Sequence, residues 1–189
     1  MAMITLGTGV GSGLILDGKI YRGENGIGGE LGHTLLHPGG RRCSCGMRGC
    51  FEAYCSGSAL ADAARRAMAR YPQSAMWRLC GGVPERADGR TAFEAMRLGD
   101  LVGRQIVMQF QKDLAIGIAN LVRILQPEVV CLGGGIAREG ETLLRPVRRE
   151  AAKLLIGQPE PTRPRLCAAA LGGDAGIFGA ALFGWERGT

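Results

Sequence analysis

One histidine and three cysteines stand close enough in the chain to serve one metal ion: His33, Cys43, Cys45 and Cys50. An imidazole and three thiolates are the four soft donors that tetrahedral Zn²⁺ prefers. Gly46 and Gly49 let the chain wrap round an ion before Cys50. Three thiolates leave the site net negative, and Arg41, Arg42 and Arg48 can offset that charge. With every position filled by protein, no site stays open for a reactive water, so the zinc is expected to be structural. Cys55, Cys80, Cys131 and Cys167 sit singly in apolar or helical settings and read as core residues.

Glycine-rich loops form the second constellation. Thr8-Gly9-Val10-Gly11-Ser12-Gly13 lies between two short apolar runs that read as strands, not before a helix. That placement argues against a Rossmann or Walker loop. In a hairpin, clustered glycines let backbone N–H groups approach phosphate oxygens, and Thr8 adds a hydroxyl donor. A tight turn needs one glycine, whereas four recur at alternate positions from Gly7 to Gly13. Gly133-Gly134-Gly135 follows the buried run Val129–Leu132, at the carboxyl end of a strand where α/β sheets gather ligands. Asp174, near the start of the last helix, reads as an N-cap rather than a metal ligand.

These residues need a scaffold. Ile4–Leu6, Leu14–Leu16 and Lys19–Tyr21 read as strands, the last two joined by the hairpin signal Asp17-Gly18. Residues 22–52 are expected to be mostly irregular. A helix is predicted from Ser56 to about Tyr71, with Ser58 as its cap. Thr91 and Glu94 suggest a capping box for a helix over 92–98. Asp100 opens a long helix whose face Ile106, Phe110, Leu114, Ile118, Leu121 and Leu125 recurs at three- and four-residue steps. Helices over about 141–155 and 175–185, and a strand over 166–170, complete the chain. A strand hairpin followed by alternating helices and strands indicates an α/β domain.

Of the 189 residues, 46% are hydrophobic and 21% charged, enough for one sizeable core. Glycine is abundant at 32 residues while aromatics reach only 5%, which suits backbone-lined nucleotide loops. The formal charge of +6 is carried by scattered pairs such as Arg65/Arg66 and Arg148/Arg149, without a basic block interleaved with aromatics. Solvated helix faces account for most of it, so nucleic acid is not the expected partner. No charged leader precedes the first apolar run, and no run approaches the roughly 20 residues that span a membrane. Seven cysteines, three of them crowded between 43 and 50, favour metal over disulfides, and a cytoplasmic location is expected.

Taken together, Gly29-Glu30-Leu31-Gly32-His33 and Cys43-Ser44-Cys45-Gly46-Met47-Arg48-Gly49-Cys50-Phe51-Glu52 closely resemble the signature of the ROK family (repressors, open reading frames and kinases). The resemblance continues through the loop at 5–13, Leu132-Gly133-Gly134-Gly135, and Leu171-Gly172-Gly173-Asp174-Ala175-Gly176, in family order over nearly the whole chain. It implies an actin-like, ribonuclease-H-like ATPase fold and transfer of the ATP γ-phosphate to a hexose hydroxyl, with Mg²⁺ accompanying the nucleotide. It implies that Glu30, His33 and Glu52 contact the sugar, that His33 also ligates zinc, and that Thr8, Gly9, Val10, Gly11 and Gly133–Gly135 serve ATP.

The same resemblance implies that residues 1–189 are a C-terminal lobe, with a zinc-binding loop over about 29–55. The catalytic aspartate would then belong to an N-terminal lobe of roughly 100–150 residues that is absent here, and this chain alone would be inactive. The stretch Gly49–Tyr54 resembles bacterial glucokinases most, which makes glucose 6-phosphate the expected product. Kinases for N-acetylglucosamine, N-acetylmannosamine or fructose stay open. So does a sugar-responsive repressor, which would bind nucleic acid through an upstream helix-turn-helix. A free-standing zinc module would explain the cysteines but neither glycine loop. Family members are commonly dimers, which implies a homodimer for the full protein.

Overall fold

The computed structural model describes residues 1–157 and 162–188. At its centre is a five-stranded sheet: β1 (Ala2–Leu6), β2 (Val10–Leu16), β3 (Lys19–Ile20), β4 (Val129–Gly133) and β5 (Arg165–Ala168), in the spatial order β3-β2-β1-β4-β5. The first three strands form an antiparallel meander, and β4 and β5 join β1 in parallel. This mixed sheet, flanked by helices, is the ribonuclease-H-like arrangement of actin-like ATPases. Asp17 and Gly18 both take positive φ, 50° and 75°, as the type I′ hairpin between β2 and β3 requires.

The helices are α1 (Glu52–Cys55), α2 (Gly57–Arg70), α3 (Ala75–Leu79), α4 (Thr91–Arg97), α5 (Leu101–Leu125), α6 (Glu141–Leu154) and α7 (Ala175–Gly188). The long α5 starts where the Asp100 carboxylate accepts from the N–H groups of Val102 and Gly103, both at 2.8 Å. Phe110, Leu114, Ile118 and Leu121 are buried as the periodicity predicts, while Ile106 and Leu125 pack at the core's edge. Ala2, Ile4 and Leu6 of β1 alternate into the same core with Val130 and Leu132 of β4 and Leu143, Leu144 and Val147 of α6. A smaller core joins α2, α3 and α4 through Ala64, Met68, Met76 and Ala95.

Several local expectations are corrected. Ser56, not Ser58, caps α2 by accepting from the Ala59 N–H; Ser58 is exposed and turns elsewhere. Thr91 begins α4 rather than capping it, because its hydroxyl is engaged with Asp88, and Arg90 takes the cap position. The last strand stops at Ala168, two residues early, whereas Asp174 keeps its expected place immediately before α7, at the end of a 3₁₀ turn over Gly172–Asp174. The stretch 22–52 contains a 3₁₀ turn, Leu31–His33, and leads directly into α1. Among the described residues no helix is long and apolar enough to cross a membrane.

Candidate metal centre and nucleotide cleft

His33 ends the 3₁₀ turn, and the three cysteines lie on a tight excursion between residues 43 and 50. The excursion closes on its own backbone: Cys43 donates to Met47 O, and Gly49 to Arg41 O, each at 2.8 Å. Gly46 and Gly49 take φ of 93° and 95°, and a Cβ on Gly49 would stand 2.0 Å from the His37 carbonyl oxygen. Only glycine fits there.

The four donor atoms of His33, Cys43, Cys45 and Cys50 all lie within 4.8 Å of one another. Cys43 Sγ is 3.8 Å from His33 Nδ1, and Cys45 Sγ is 3.7 Å from Cys50 Sγ. Two sulfurs about 2.3 Å from one tetrahedral ion stand about 3.8 Å apart, so the constellation matches zinc dimensions. Burial, reinforced by Cys45 and Cys43, pushes the Cys50 thiol up to about 12. The Met47 backbone and then Cys43 lower Cys45 by hydrogen bonding. A divalent cation is the charge that would let all three sulfurs ionise together. The donor set therefore fits zinc, with His33 Nδ1 facing the sulfurs and Nε2 left on the ring's other edge.

Glu52 joins this centre to the glycine hairpin. Its Oε2 accepts from the Val10 N–H at 3.0 Å, and its Oε1 accepts from Ser44 Oγ at 2.9 Å and from Cys43 Sγ at 3.6 Å. Partial burial pushes the Glu52 carboxyl up, but hydrogen bonds from Val10, Ser44 and Cys43 outweigh it and hold it below the usual carboxylate range. Ser12 clips the histidine turn to β2 by donating to Gly29 O and accepting from the Leu31 N–H at 3.1 Å. A Cβ on Gly32 would meet Val10 O at 2.2 Å, so this turn lies directly on the hairpin. Glu30 stands exposed at the head of the turn, three residues from His33, and its carboxylate makes no hydrogen bond within the described chain.

The glycines of the hairpin divide by role. A Cβ on Gly9 would lie 2.3 Å from Glu52 Oε2, and one on Gly11 2.6 Å from Thr5 Oγ1, whereas Gly7 and Gly13 face open space. The Val10 N–H is occupied by Glu52 and is not a free donor. Gly7 and Thr8 instead border a cavity of about 630 Å³, walled by Ser58, Arg65, Asp88, Arg90, Gly135 and Arg138 among others. Gly57 at the start of α2 donates to Gly7 O at 2.7 Å, and Ser58 Oγ to Thr8 O at 2.8 Å. Of the glycine triplet only Gly135 lines the cavity. Gly134, at φ 85°, presses on the Leu6 backbone, and Gly133 packs beside Met3.

Arg65, Asp88, Arg90 and Arg138 escape a sequence reading because they come from three separate segments. Ser56-Gly57-Ser58 carried a signal, a capped helix start, which is a natural anion site. The Arg65 Nε is buried without a hydrogen-bond partner, although its Nη atoms bond Asp62 and Ala87 O.

Comparison with known proteins agrees with this geometry. The chain is 39% identical over 184 residues to a glucokinase of Thermotoga maritima, covering 97% of this chain and 57% of that protein. It is 37% identical to an N-acetylmannosamine kinase of Salmonella typhi, covering 96% and 55%. Among solved structures, a ROK family glucokinase from Streptomyces griseus in complex with glucose and AMPPNP superimposes with a TM-score of 0.87 at 36% identity, over 96% of this chain and 59% of the other. The chain thus spans little more than half the length of the relatives it matches. The ROK family pattern itself matches residues 1–186, and the chain belongs to the ROK family.

Proposed function

We propose that this chain is the nucleotide- and zinc-binding lobe of a cytoplasmic, ATP-dependent hexose kinase, with glucose the preferred sugar and glucose 6-phosphate the product. The observation that carries this reading is the double role of Glu52. One carboxylate faces both the metal-bearing loop and the glycine hairpin, so sugar and phosphate sites share a single rigid joint. Glu52 Oε2 accepts a single bond, from the Val10 N–H, and keeps lone-pair capacity for a sugar hydroxyl. Glu30 supplies a second, unengaged carboxylate, and His33 Nε2 a third polar group beside it. The likeness to glucokinases and to a glucose- and AMPPNP-bound structure supports this choice.

Zinc would be held by His33, Cys43, Cys45 and Cys50, and its chemistry is that of a structural clamp with no open position. The nucleotide would lie in the 630 Å³ cavity, its phosphates toward Gly7, Thr8 and the α2 start, where backbone N–H groups and helix dipole favour negative charge. Arg65, Arg90 and Arg138 add positive charge to the same walls. Mg²⁺ would arrive with the phosphates, which is how such sites usually hold it. The carboxylate that takes the hydroxyl proton is assigned to a second lobe, in keeping with the greater length of the relatives. The whole protein is proposed to work as a homodimer.

The test is a coupled ADP-release assay on the full-length protein, with glucose, N-acetylmannosamine, N-acetylglucosamine and fructose compared by kcat/KM. Glucose should lead, and Glu52→Gln should lower kcat/KM for it by at least tenfold. Failure to turn over any of the four sugars would overturn the proposal. The N-acetylmannosamine kinase relative makes that sugar the strongest competitor.

A further inference from the structure

Cys131 of β4 and Cys167 of β5 are register partners on adjacent parallel strands. Neighbouring strands lie about 4.8 Å apart, and disulfides join residues whose Cα atoms are about 4.4–6.8 Å apart. Side chains alternate across a sheet, so in-register partners share one face. Val130, Leu132 and Leu166 enter the core beneath α5 and α6, which leaves Cys131 and Cys167 on the opposite face with Met3, the β1 partner of Cys131. Both cysteines are half-buried, so a small oxidant can reach them. Cys55 and Cys80, by contrast, are buried, Cys55 in α1 and Cys80 at the C-cap of α3. The sequence reading, which took all four as isolated core residues, therefore holds for two of them only.

We propose that Cys131 and Cys167 form an oxidisable dithiol, a modification site that closes to a disulfide between β4 and β5 under a peroxide. One sulfur attacks a peroxide oxygen; the O–O bond breaks, giving a sulfenic acid and water. The second sulfur then attacks that sulfenic sulfur, the S–S bond forms, and a second water leaves with the remaining proton. Two thiols lose two electrons in all, and one hydrogen peroxide is reduced to two waters. Burial, then the neighbouring Cys167 sulfur, pushes the Cys131 thiol up, so Cys131 starts as a thiol at neutral pH. Bonding draws the Cβ atoms toward about 3.8 Å, a contraction of roughly 1 Å from strand spacing. It occurs two residues before Gly133, where the chain turns toward the cleft.

Trypsin reports the bond directly, because the peptides 124–138 and 166–187 each carry a single cysteine. Zinc-loaded protein is treated with hydrogen peroxide, alkylated and digested without reductant. The expected result is a joined pair of these peptides, two hydrogens lighter than their sum, that separates on reduction and is absent from Cys131→Ser and from Cys167→Ser. Recovery of the two peptides singly, whether alkylated or over-oxidised, would overturn the proposal. So would Cys131 linked to Cys43, Cys45 or Cys50. The wild-type peptide map decides the matter even if a variant folds poorly.

Discussion

Replacing Gly9 by alanine tests whether Glu52 is held by the hairpin, and a partner substitution makes the test quantitative. The Gly9 backbone is not in the positive-φ region, so alanine brings no conformational strain. Its Cβ would stand 2.3 Å from Glu52 Oε2 and 3.2 Å from Glu52 Cδ. The carboxylate sits at the end of a flexible side chain, so it moves and the backbone stays. A retreat of roughly 1 Å takes Oε2 out of reach of the Val10 N–H, now at 3.0 Å. Hydrogen bonds to charged groups contribute about 1.5–3 kcal/mol; with Glu52 only partly buried, water replaces some of that, leaving about 1–2 kcal/mol. Glycine to alanine also stiffens the unfolded chain, a gain of about 0.4–1 kcal/mol. Gly9→Ala alone should therefore destabilise by about 0–1.6 kcal/mol, at most a few degrees in Tm for a chain of this size. In a Glu52→Ala background the obstacle and the bond are both gone, and the same substitution should stabilise by about 0.4–1 kcal/mol. The coupling of about 1–2 kcal/mol is read from urea unfolding of the four zinc-loaded proteins by circular dichroism. If Gly9→Ala changes stability equally in both backgrounds, to within about 0.5 kcal/mol, Glu52 is not held by the hairpin as argued.

Three further outcomes are expected. Elemental analysis should find zinc equimolar with chain, and both chelation and Cys50→Ser should lower Tm; a melting curve indifferent to metal removal would contradict the clamp. Asp113, only 3% exposed, accepts from His37 Nε2 at 2.8 Å and Gln109 Nε2 at 3.1 Å, tying the loop ahead of the cysteines to α5. Asp113→Ala should cost about 1–3 kcal/mol in unfolding free energy, and no change in urea midpoint would show that the tie carries nothing. Partial burial pushes the Asp100 carboxyl up, but donors from Gly103, Ser74, Ala75 and Val102 prevail and hold it below the usual range. Its folded pKa is thus below its unfolded one, so the stabilisation is full above about pH 4 and is lost as pH falls through the lowered value. Wild-type stability should accordingly drop more between pH 6 and pH 3 than that of Asp100→Asn, measured by thermal melts; parallel curves would refute the assignment.

The chain's chemistry was legible where it depended on residue type over short spans. Donor softness and glycine-assisted spacing identify His33, Cys43, Cys45 and Cys50 as one ligand set without any coordinates, because metal preference is a property of the atoms themselves. The period of Phe110, Leu114, Ile118 and Leu121 declares a buried helix for the same reason, since periodicity is written locally. Cap residues were harder: Ser56 and Ser58 both suit a helix start, and only the contact of Ser58 with Thr8 O decides between them.

Partners far apart in sequence were decided by the fold alone. That Glu52 occupies the Val10 N–H, that Arg65, Asp88 and Arg138 share one cavity, and that Cys131 faces Cys167 all depend on which strands and helices become neighbours. Donor chemistry and hydrophobic rhythm act between residues a few positions apart, and so they can be read along the chain. Cross-strand register and the convergence of loops on a cleft depend on packing the whole core at once, which places residues beside each other irrespective of their separation in sequence.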